Sequence, residues 1–168
     1  YSSIANLNFA RDTRNKKAIE ENLYYDNIGP EYSAIDNKFT KTINNSKFKR
    51  ELVDKFGSHF NDLIEMELKS FDEKIVDILK IENTIKNRYR TLLANAKIEF
   101  DGKILNLTGL TPYMQSTNRE KRKSAYKKLD EFFKNNSQEL DIIFDRLVQL
   151  RDQKAKILGF QNYVDLGY

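Results

Sequence analysis

Apolar residues recur along most of this chain at spacings of three and four, the pattern that places one face of an α-helix against a core. The most regular stretch follows Gly57, a predicted helix stop, and consists of Phe60, Leu63, Ile64, Leu68 and Phe71. Asp72 is expected to cap the next helix, which the same spacing extends from Glu73 to about residue 96. The two segments predict a pair of amphipathic helices.

The residues before Gly57 show a looser helical pattern. A first helix is predicted over residues 2 to about 26, and Gly29-Pro30 is expected to end it because proline has no N–H for an interior helical bond. Pro30 suits the first turn of a second helix. The apolar stripe of that helix consists of Tyr32, Ile35, Phe39, Thr42 and Ile43. Residues 44–46 are predicted to end it, before a shorter helical piece that reaches Phe56.

Two more helices are predicted towards the C-terminal end. Pro112 is expected to interrupt the stretch before them, and residues 117–120 (TNRE) predict a capping box with Thr117 as the cap and Glu120 reaching back to it. The first stripe consists of Arg122, Ala125, Tyr126, Leu129 and Phe133. After a pause at residues 135–137, the second consists of Leu140, Ile143, Phe144, Leu147, Val148, Ala155 and Leu158. Gly159-Phe160 is typical of a Schellman ending.

Residues 97–107 break the helical pattern, because β-branched residues flank Asp101-Gly102, the preferred pair for a type I′ hairpin turn. A two-residue turn pairs Phe100 with Lys103 and Ile98 with Leu105. Ile98, Phe100, Leu105 and Leu107 then share the face that is expected to pack on helices. The predicted fold class is therefore all-α, a helical bundle-like domain with one small β-hairpin near 97–107.

Length and composition limit the possible number of domains, binding partners and compartments, and they leave the predicted helical fold unchanged. A length of 168 residues suits one domain, and the chain begins with Tyr1 rather than Met, so we expect a single helical domain, or a fragment, of something longer. The net charge of +4 comes from 29 basic and 25 acidic residues that are mixed along the chain, which argues against a dedicated nucleic-acid binder. No apolar run is long enough to span a membrane. The absence of cysteine fits a reducing compartment, and the cytoplasm is expected.

Few residues of this chain are candidates for catalysis, metal binding or phosphate binding. His59 is the single histidine, whereas a catalytic zinc site needs three protein ligands, usually with two histidines, so neither catalytic nor metal-binding residues are expected in this chain. Carboxylate groups that could mimic an acid/base pair, such as Asp62, Glu65 and Glu67, lie off the apolar stripes and are read as solvated. One run of basic residues could contact phosphate, although acidic residues interleave it and favour an ordinary charged face: Arg119, Lys121, Arg122, Lys123, Lys127 and Lys128.

Two charged residues occupy positions in apolar stripes. Glu82 lies seven residues after Ile75, and Arg151 lies seven after Phe144, so both are expected to point inward. A buried charge needs a partner, and the guanidinium fork suits a carboxylate. We predict a structural charge pair between Glu82 and Arg151; the alternative is that each side chain reaches the rim or bonds separately.

Three segments, in order and spacing, resemble the oligoendopeptidase F branch of the thimet-oligopeptidase family. They are residues 82–85 (ENTI) with Tyr89, 94–102 (ANAKIEFDG) and Leu107; residues 110–116 (LTPYMQS) with Arg119, Arg122 and Ala125; and residues 147–151 (LVQLR) with 155–164 (AKILGFQNYV). Asn118 stands where the family usually has Asp, and asparagine caps helices equally well. The first half of the chain resembles the family more loosely, through residues 28–30 and 48–71.

The resemblance implies a cytoplasmic, almost wholly helical zinc metalloendopeptidase that hydrolyses internal bonds of short peptides inside a deep channel. Its zinc is held by an H-E-x-x-H helix and a later glutamate, all of which are expected downstream in a missing C-terminal catalytic portion. This chain is expected to be the N-terminal, non-catalytic portion that forms a wall of the substrate channel. It would take no cofactor itself, and oligopeptide would be the substrate of the parent enzyme.

Two other functions stay open from the residues alone. The first is a helical interaction or scaffold module without enzymatic activity, and the second is a basic helical nucleic-acid binder. Continuation of the parent sequence into H-E-x-x-H separates the enzyme from the scaffold, and steep salt dependence of DNA or RNA binding would identify the third function. If the chain is a portion of an enzyme, it is expected to expose an apolar surface where the rest docks.

Overall fold

The computed structural model of the chain describes residues 1–167, and most of them are helical. The helices are α1 (Ser2–Arg11), α2 (Lys16–Asn44), α3 (Lys49–Phe56), α4 (Ser58–Ser70), α5 (Val76–Ala94), α6 (Leu107–Met114), α7 (Arg119–Asn135), α8 (Ser137–Ile157) and α9 (Tyr163–Gly167). A 3₁₀ turn, Glu73–Ile75, precedes α5, and the strands are β1 (Ile98–Phe100) and β2 (Lys103–Leu105). The predicted fold class, all-α with one small hairpin, is confirmed.

The described residues form two compact units. The first unit contains residues 1–20 and 85–147, and the second contains residues 21–84 and those from 148 onward. The boundaries fall inside α2, α5 and α8. That the chain is one N-terminal domain or fragment of a larger peptidase stays a prediction.

No helix within residues 1–167 is both long and apolar enough to cross a membrane.

The hairpin organises the core of the first unit. Its antiparallel register pairs Ile98 with Leu105 and Phe100 with Lys103, as predicted. Asp101 and Gly102 have φ values of 54° and 72°, the left-handed conformation that a type I′ turn requires at both central positions. The buried residues of this core are Ile98, Leu110 and Ala125, with Phe100, Leu105 and Leu107 packed against them. One face of the hairpin therefore covers α6 and α7, and Ile104 on the other face is exposed.

The connections around α6 and α7 correct two sequence predictions. Pro112 does not interrupt the chain but lies inside α6, whose start is held by Asn106 accepting a hydrogen bond from the Gly109 N–H at 2.7 Å. The cap of α7 is Asn118 rather than Thr117, since the Asn118 side chain accepts from the backbone N–H groups of Glu120 and Lys121. Asparagine binds these N–H groups as well as threonine would, so the capping preference shifts the helix start by one residue.

The predicted helix break at Gly29-Pro30 is wrong, because α2 runs without interruption through both residues. Proline at position 30 cannot donate to the carbonyl of Asp26, four residues earlier. Asn83 of α5 supplies the missing donor, and its Nδ2 binds the Asp26 carbonyl oxygen at 3.0 Å. A tertiary hydrogen bond thus replaces the lost helical one, which the local sequence does not reveal.

The real break lies earlier, at residues 12–15. Helix α1 ends at Arg11, and Asn15 starts α2 by accepting a hydrogen bond from the Ala18 N–H at 3.1 Å. Asp12 turns the chain between the helices, and the Arg14 backbone N–H that binds its carboxylate lowers the pKa of that group. Asp12 and Asn15, at the two ends of this short segment, are residue types that favour turns and helix caps. The helical spacing of apolar residues continues across them, and for that reason a single helix is predicted there.

The apolar stripe predicted for α2 does not face the core of the second unit. Tyr32 and Ile35 are each 60% exposed, and Phe39 is 66% exposed. The buried positions of this part of the helix are polar: Asn37 Nδ2 donates to the Phe71 carbonyl at 3.4 Å, and Thr40 Oγ1 donates to Glu67 Oε1 at 2.9 Å. The inward side of α2 therefore carries polar contacts in this region, and Tyr32, Ile35 and Phe39 are left largely uncovered by the described residues.

The bounds of α3, α4 and α5 agree with the prediction, but Leu63 of the stripe predicted for α4 is 51% exposed. Gly57 ends α3 with a φ of 87°, a conformation that glycine adopts without steric cost. Asp72 caps the following 3₁₀ turn by accepting from the Lys74 N–H at 3.0 Å, and this backbone hydrogen bond lowers the pKa of its carboxyl. Ile64, Ile75 and Ile78 are the buried apolar residues of this region.

The stripes predicted for α7 and α8 are partly wrong. Ala125, Ile143 and Ala155 are buried as expected, but Tyr126, Phe133, Phe144 and Val148 are exposed. Leu150, which the stripe of α8 left out, is buried instead. The ending of α8 is confirmed: the Phe160 N–H donates to the Ala155 carbonyl at 2.9 Å, and the Gly159 N–H donates to the Lys156 carbonyl at 3.1 Å.

The hydrogen bond from Asn83 to the Pro30 region predicts a background-dependent effect on stability. Asn83→Ala is expected to lower the free energy of unfolding by about 1–2 kcal/mol, because it leaves a part-buried carbonyl without its partner. In a Pro30→Ala background the new alanine N–H can bind that carbonyl, so the loss should be smaller by at least about 0.5 kcal/mol. Urea denaturation followed by circular dichroism measures both; equal losses in the two backgrounds would contradict this account.

Candidate functional site

The most deeply buried charge in the second unit is the Glu82 carboxylate. Glu82 lies on α5 one turn after Ile78, on the face that this helix turns inward, and its side chain is 3% exposed. Both oxygens accept hydrogen bonds: Arg151 Nε donates to Oε1 at 3.3 Å, and Lys154 Nζ donates to Oε2 at 3.0 Å. A buried carboxylate thus lies between two cations.

Helix α8 presents the two cations together because residues three apart share one helical face. Arg151 and Lys154 are flanked by Leu150 and Ala155, both buried, which hold this face of α8 inward. The Lys154 side chain is 12% exposed and that of Arg151 is 36% exposed. Lys154 is therefore the deeper of the two cations, and Arg151 extends from the buried carboxylate to the surface.

Tyr163 completes the cluster from the C-terminal side. The Schellman turn at Gly159-Phe160 reverses the chain after α8, and Asn162 starts α9 by accepting from the Val164 N–H at 2.8 Å. The Tyr163 ring consequently lies beside both cations, with its centroid 5.5 Å from Arg151 Cζ and 5.4 Å from Lys154 Nζ. Contacts of this kind attract cations to the ring face. We call Glu82, Arg151, Lys154 and Tyr163 the charge cluster.

The sequence-based prediction named two of these residues and missed the others. The Glu82 and Arg151 head groups lie within ion-pair distance. Lys154 was overlooked, although its position three residues after Arg151 places it on the same face. Tyr163 had no signal in the apolar spacing, since it follows a turn whose direction only the tertiary structure shows.

The charge cluster is suited to structure and recognition rather than to acid/base chemistry. A general base needs a lone pair that is free to take a proton, and both Glu82 oxygens already accept from cations. Arginine keeps its proton in proteins. The cluster instead holds a fixed arrangement of charge, in which each partner prevents the others from being buried alone.

The other candidate residues lie apart from this cluster and carry ordinary contacts. His59 is exposed in the first turn of α4. Among the carboxylates, Glu65 accepts from Asn61, and Glu67 accepts from Thr40. Within residues 1–167, no three His, Asp or Glu side chains lie close enough together to hold a metal ion.

Several members of the basic run are held by neighbours within the first unit. Lys121 Nζ donates to Asp101 at 2.8 Å, and this hydrogen bond raises the pKa of Lys121. Lys128 Nζ donates to Glu131 at 2.8 Å, and that hydrogen bond likewise raises its pKa. Arg122 Nη1 donates to the Ser116 carbonyl at 2.6 Å. These contacts are those of a charged helix face with internal partners, the arrangement that the interleaved acidic residues indicate.

Comparison with known proteins places the chain in a family. Residues 1–71 match the family model described as the Peptidase M3 N-terminal domain, and residues 112–167 match the one described as Peptidase family M3. A search of curated proteins finds no match.

Solved structures match over nearly the whole chain. A crystal structure provisionally named oligoendopeptidase F, determined at 3.1 Å, has a TM-score of 0.93 and 33% identity. One from Bacillus anthracis with the same provisional name has a TM-score of 0.92 and 35% identity, and Pz peptidase A with an inhibitor has a TM-score of 0.93 and 33% identity. Each match covers 99% of this chain and 30% of the other. The resemblance inferred from the sequence is confirmed, and the chain belongs to the M3 family of peptidases.

Proposed function

We propose that this chain is the N-terminal, non-catalytic portion of a zinc metalloendopeptidase that hydrolyses internal bonds of short peptides, and that it forms a wall of the substrate channel. The observation that carries the proposal is the joint match: an M3 N-terminal model over residues 1–71 and a 99% overlay on peptidase structures more than three times as long. The parent would act in the cytoplasm on oligopeptides, with its C-terminal catalytic portion as the partner of this chain.

The zinc ion that the family resemblance implies does not fit the donors of this chain. A catalytic zinc site takes three protein ligands, usually with two histidines, and His59 is the single histidine here. No step of the hydrolysis is therefore assigned to a residue of this chain. Its proposed contribution is to bind, enclose and orient the peptide while residues of the C-terminal portion hold the metal.

The uncovered apolar side of α2 supports a role beside further polypeptide. Tyr32, Ile35 and Phe39 lie along this side and are mostly exposed, whereas the inward side carries Asn37 and Thr40. A row of large apolar side chains that water surrounds is unfavourable, and such surfaces usually mark a contact with another chain or segment. In the proposed parent, this side of α2 lies against the catalytic portion.

The charge cluster is proposed to fix the second unit so that its surface keeps one shape. Glu82 of α5 binds two residues of α8, while the next residue, Asn83, holds the Pro30 region of α2. Adjacent residues on one helix thus join three helices through polar contacts of defined geometry. A channel wall needs such rigidity, because a loose wall would admit larger substrates.

Expression of the complete parent coding sequence tests the proposed activity. The full polypeptide is expected to cleave a quenched-fluorescent oligopeptide at an internal bond, to lose activity with a chelator and to regain it with zinc. The 168-residue chain alone should release no fluorescence. A full polypeptide that lacks H-E-x-x-H and leaves all peptides intact would instead identify a scaffold module.

Photo-crosslinking tests the channel wall separately. A peptide of substrate length that carries benzoylphenylalanine, added to the chelated parent, is expected to form covalent adducts with residues of 1–168 as well as with the catalytic portion. Excess unlabelled peptide should suppress both. If the unlabelled peptide suppresses crosslinking but all adducts lie in the catalytic portion, the proposal that this chain forms a wall of the channel is contradicted.

The proposed structural role of the charge cluster predicts a large effect of Glu82→Gln. Removing the carboxylate leaves the largely buried Lys154 ammonium without its counter-charge, so the free energy of unfolding should fall by about 3 kcal/mol. Glu139→Gln is the matched control, since it removes a more exposed ion pair with Arg88 and should cost at most about 1 kcal/mol. Chemical denaturation compares the two variants, and equal small losses would show that the cluster does not stabilise the fold.

A further inference from the structure

The charge cluster is not electrically balanced. One carboxylate, Glu82, lies between two cations, Arg151 and Lys154, so the group carries one excess positive charge. Two acidic residues of the same helical segments bind other groups: Asp152 pairs with Lys156 at 2.6 Å, and Asp165 accepts from Asn162 at 3.0 Å. The excess charge lies at Arg151, whose side chain is 36% exposed, so an anion can reach it from solvent.

Arg151 is held in a way that leaves its outer edge available. Its guanidinium has five N–H donors, and within residues 1–167 only the Nε donor is hydrogen-bonded, to Glu82. Its two Nη atoms form no hydrogen bond with any of the described residues, and the side chain is 36% exposed. The Tyr163 ring, 5.5 Å from Cζ, restricts the guanidinium further.

This arrangement is that of a preorganised anion receptor. An arginine fixed at Nε presents its Nη groups in the plane of the fork, where two parallel N–H donors match the two oxygens of a carboxylate. Because Glu82 and Tyr163 already hold the guanidinium, little side-chain entropy is lost when the anion binds. Lys154 adds positive charge behind the fork without competing for the ligand, since it donates to the buried carboxylate.

We propose that Arg151 is a binding residue for a carboxylate group, and this inference rests on the proposed function. Two sources have this chemistry: the C-terminal carboxylate of an oligopeptide substrate, and an acidic side chain from the rest of the parent polypeptide. If the substrate supplies the carboxylate, its binding to Arg151 would fix the number of residues between the cleaved bond and the C-terminus of the peptide. That would favour short peptides with a free C-terminus over internal segments of long chains.

Carboxylate binding is tested first on the 168-residue chain, at low ionic strength so that salt does not screen the ion pair. The probes are N-acetylglycylglycine and its C-terminal amide, and the readout is the Arg151 Nε–Hε resonance in a ¹⁵N-correlated NMR titration. The acid is expected to shift this resonance saturably, and the amide is not. A response that is absent, or equal for the two probes, would overturn the proposal.

Three variants show whether the binding depends on the guanidinium fork. Arg151→Gln and Arg151→Lys lack the Arg151 resonance, so acid binding by all variants is followed at the backbone amide of Tyr163, which lies beside the guanidinium. Each of the two should weaken acid binding, by roughly tenfold or more for the glutamine variant, because the paired charged hydrogen bonds are lost. Lys69→Gln is the matched control: it removes one exposed positive charge from α4 of the same unit, outside the cluster, and should leave the affinity unchanged. Affinity that follows net charge, falling as much in Lys69→Gln as in Arg151→Gln, would also overturn the proposal.

The complete parent distinguishes the two sources of carboxylate. If the substrate supplies it, the amidated form of a cleaved peptide should have a KM roughly tenfold higher than the free acid with a similar kcat, and Arg151→Gln should abolish this difference. If the parent supplies it, the two peptides should have equal KM values and the Arg151 Nε–Hε resonance of the parent should no longer respond to the acid probe. A parent that cleaves no peptide refutes the proposed function and leaves the titration of the chain as the independent test of the site.

Discussion

The cost of burying the Glu82 carboxylate constrains much of the second unit. An ionised carboxyl group that loses its water is unfavourable by several kcal/mol, roughly, unless donors replace that water, and the donors must be charged and well placed. Arg151 and Lys154 meet this requirement from one face of α8. The position of α8 against α5 within this unit is therefore defined by the directions of hydrogen bonds, which apolar packing alone would leave less specific. Tyr163 lies beside both cations of this arrangement.

Next to Glu82 on α5, Asn83 stabilises the part of α2 where Pro30 would favour a kink. Pro30 removes a backbone donor, and Asn83 replaces it at the Asp26 carbonyl, so a residue adjacent to Glu82 stabilises a second helix. Polar contacts recur at the inward side of α2, where Asn37 and Thr40 bind Phe71 and Glu67. Tyr32, Ile35 and Phe39 of the same helix face outward. A helix with polar contacts inside and large apolar side chains outside is suited to a position between two bodies of polypeptide, which agrees with a chain that spans 30% of the length of its structural relatives.

Local signals in the sequence predicted the parts of the structure that depend on neighbouring residues. The hairpin register follows from a two-residue Asp101-Gly102 turn and the alternation of side chains around it. The Schellman ending follows from Gly159 and the residue after it. Prediction failed where a distant group decides the outcome. Pro30 was predicted to break a helix, but Asn83, distant in sequence, supplies the missing hydrogen-bond donor. Phe144 was predicted to lie in the core, but Ile143 and Leu150 face inward instead.

The sequence by itself determined the fold class, the hairpin, most helix ends and the family, because each depends on short-range spacing, on turn chemistry or on motifs that stay together along the chain. It also indicated that Glu82 and Arg151 need counter-charges. Only the tertiary structure decided that Lys154 and Tyr163 join them, that α2 continues through Pro30, and which apolar stripe is buried. Such outcomes depend on groups many residues apart meeting at hydrogen-bonding distance, and the spacing of residues within one helix contains no information about which neighbour will cover it.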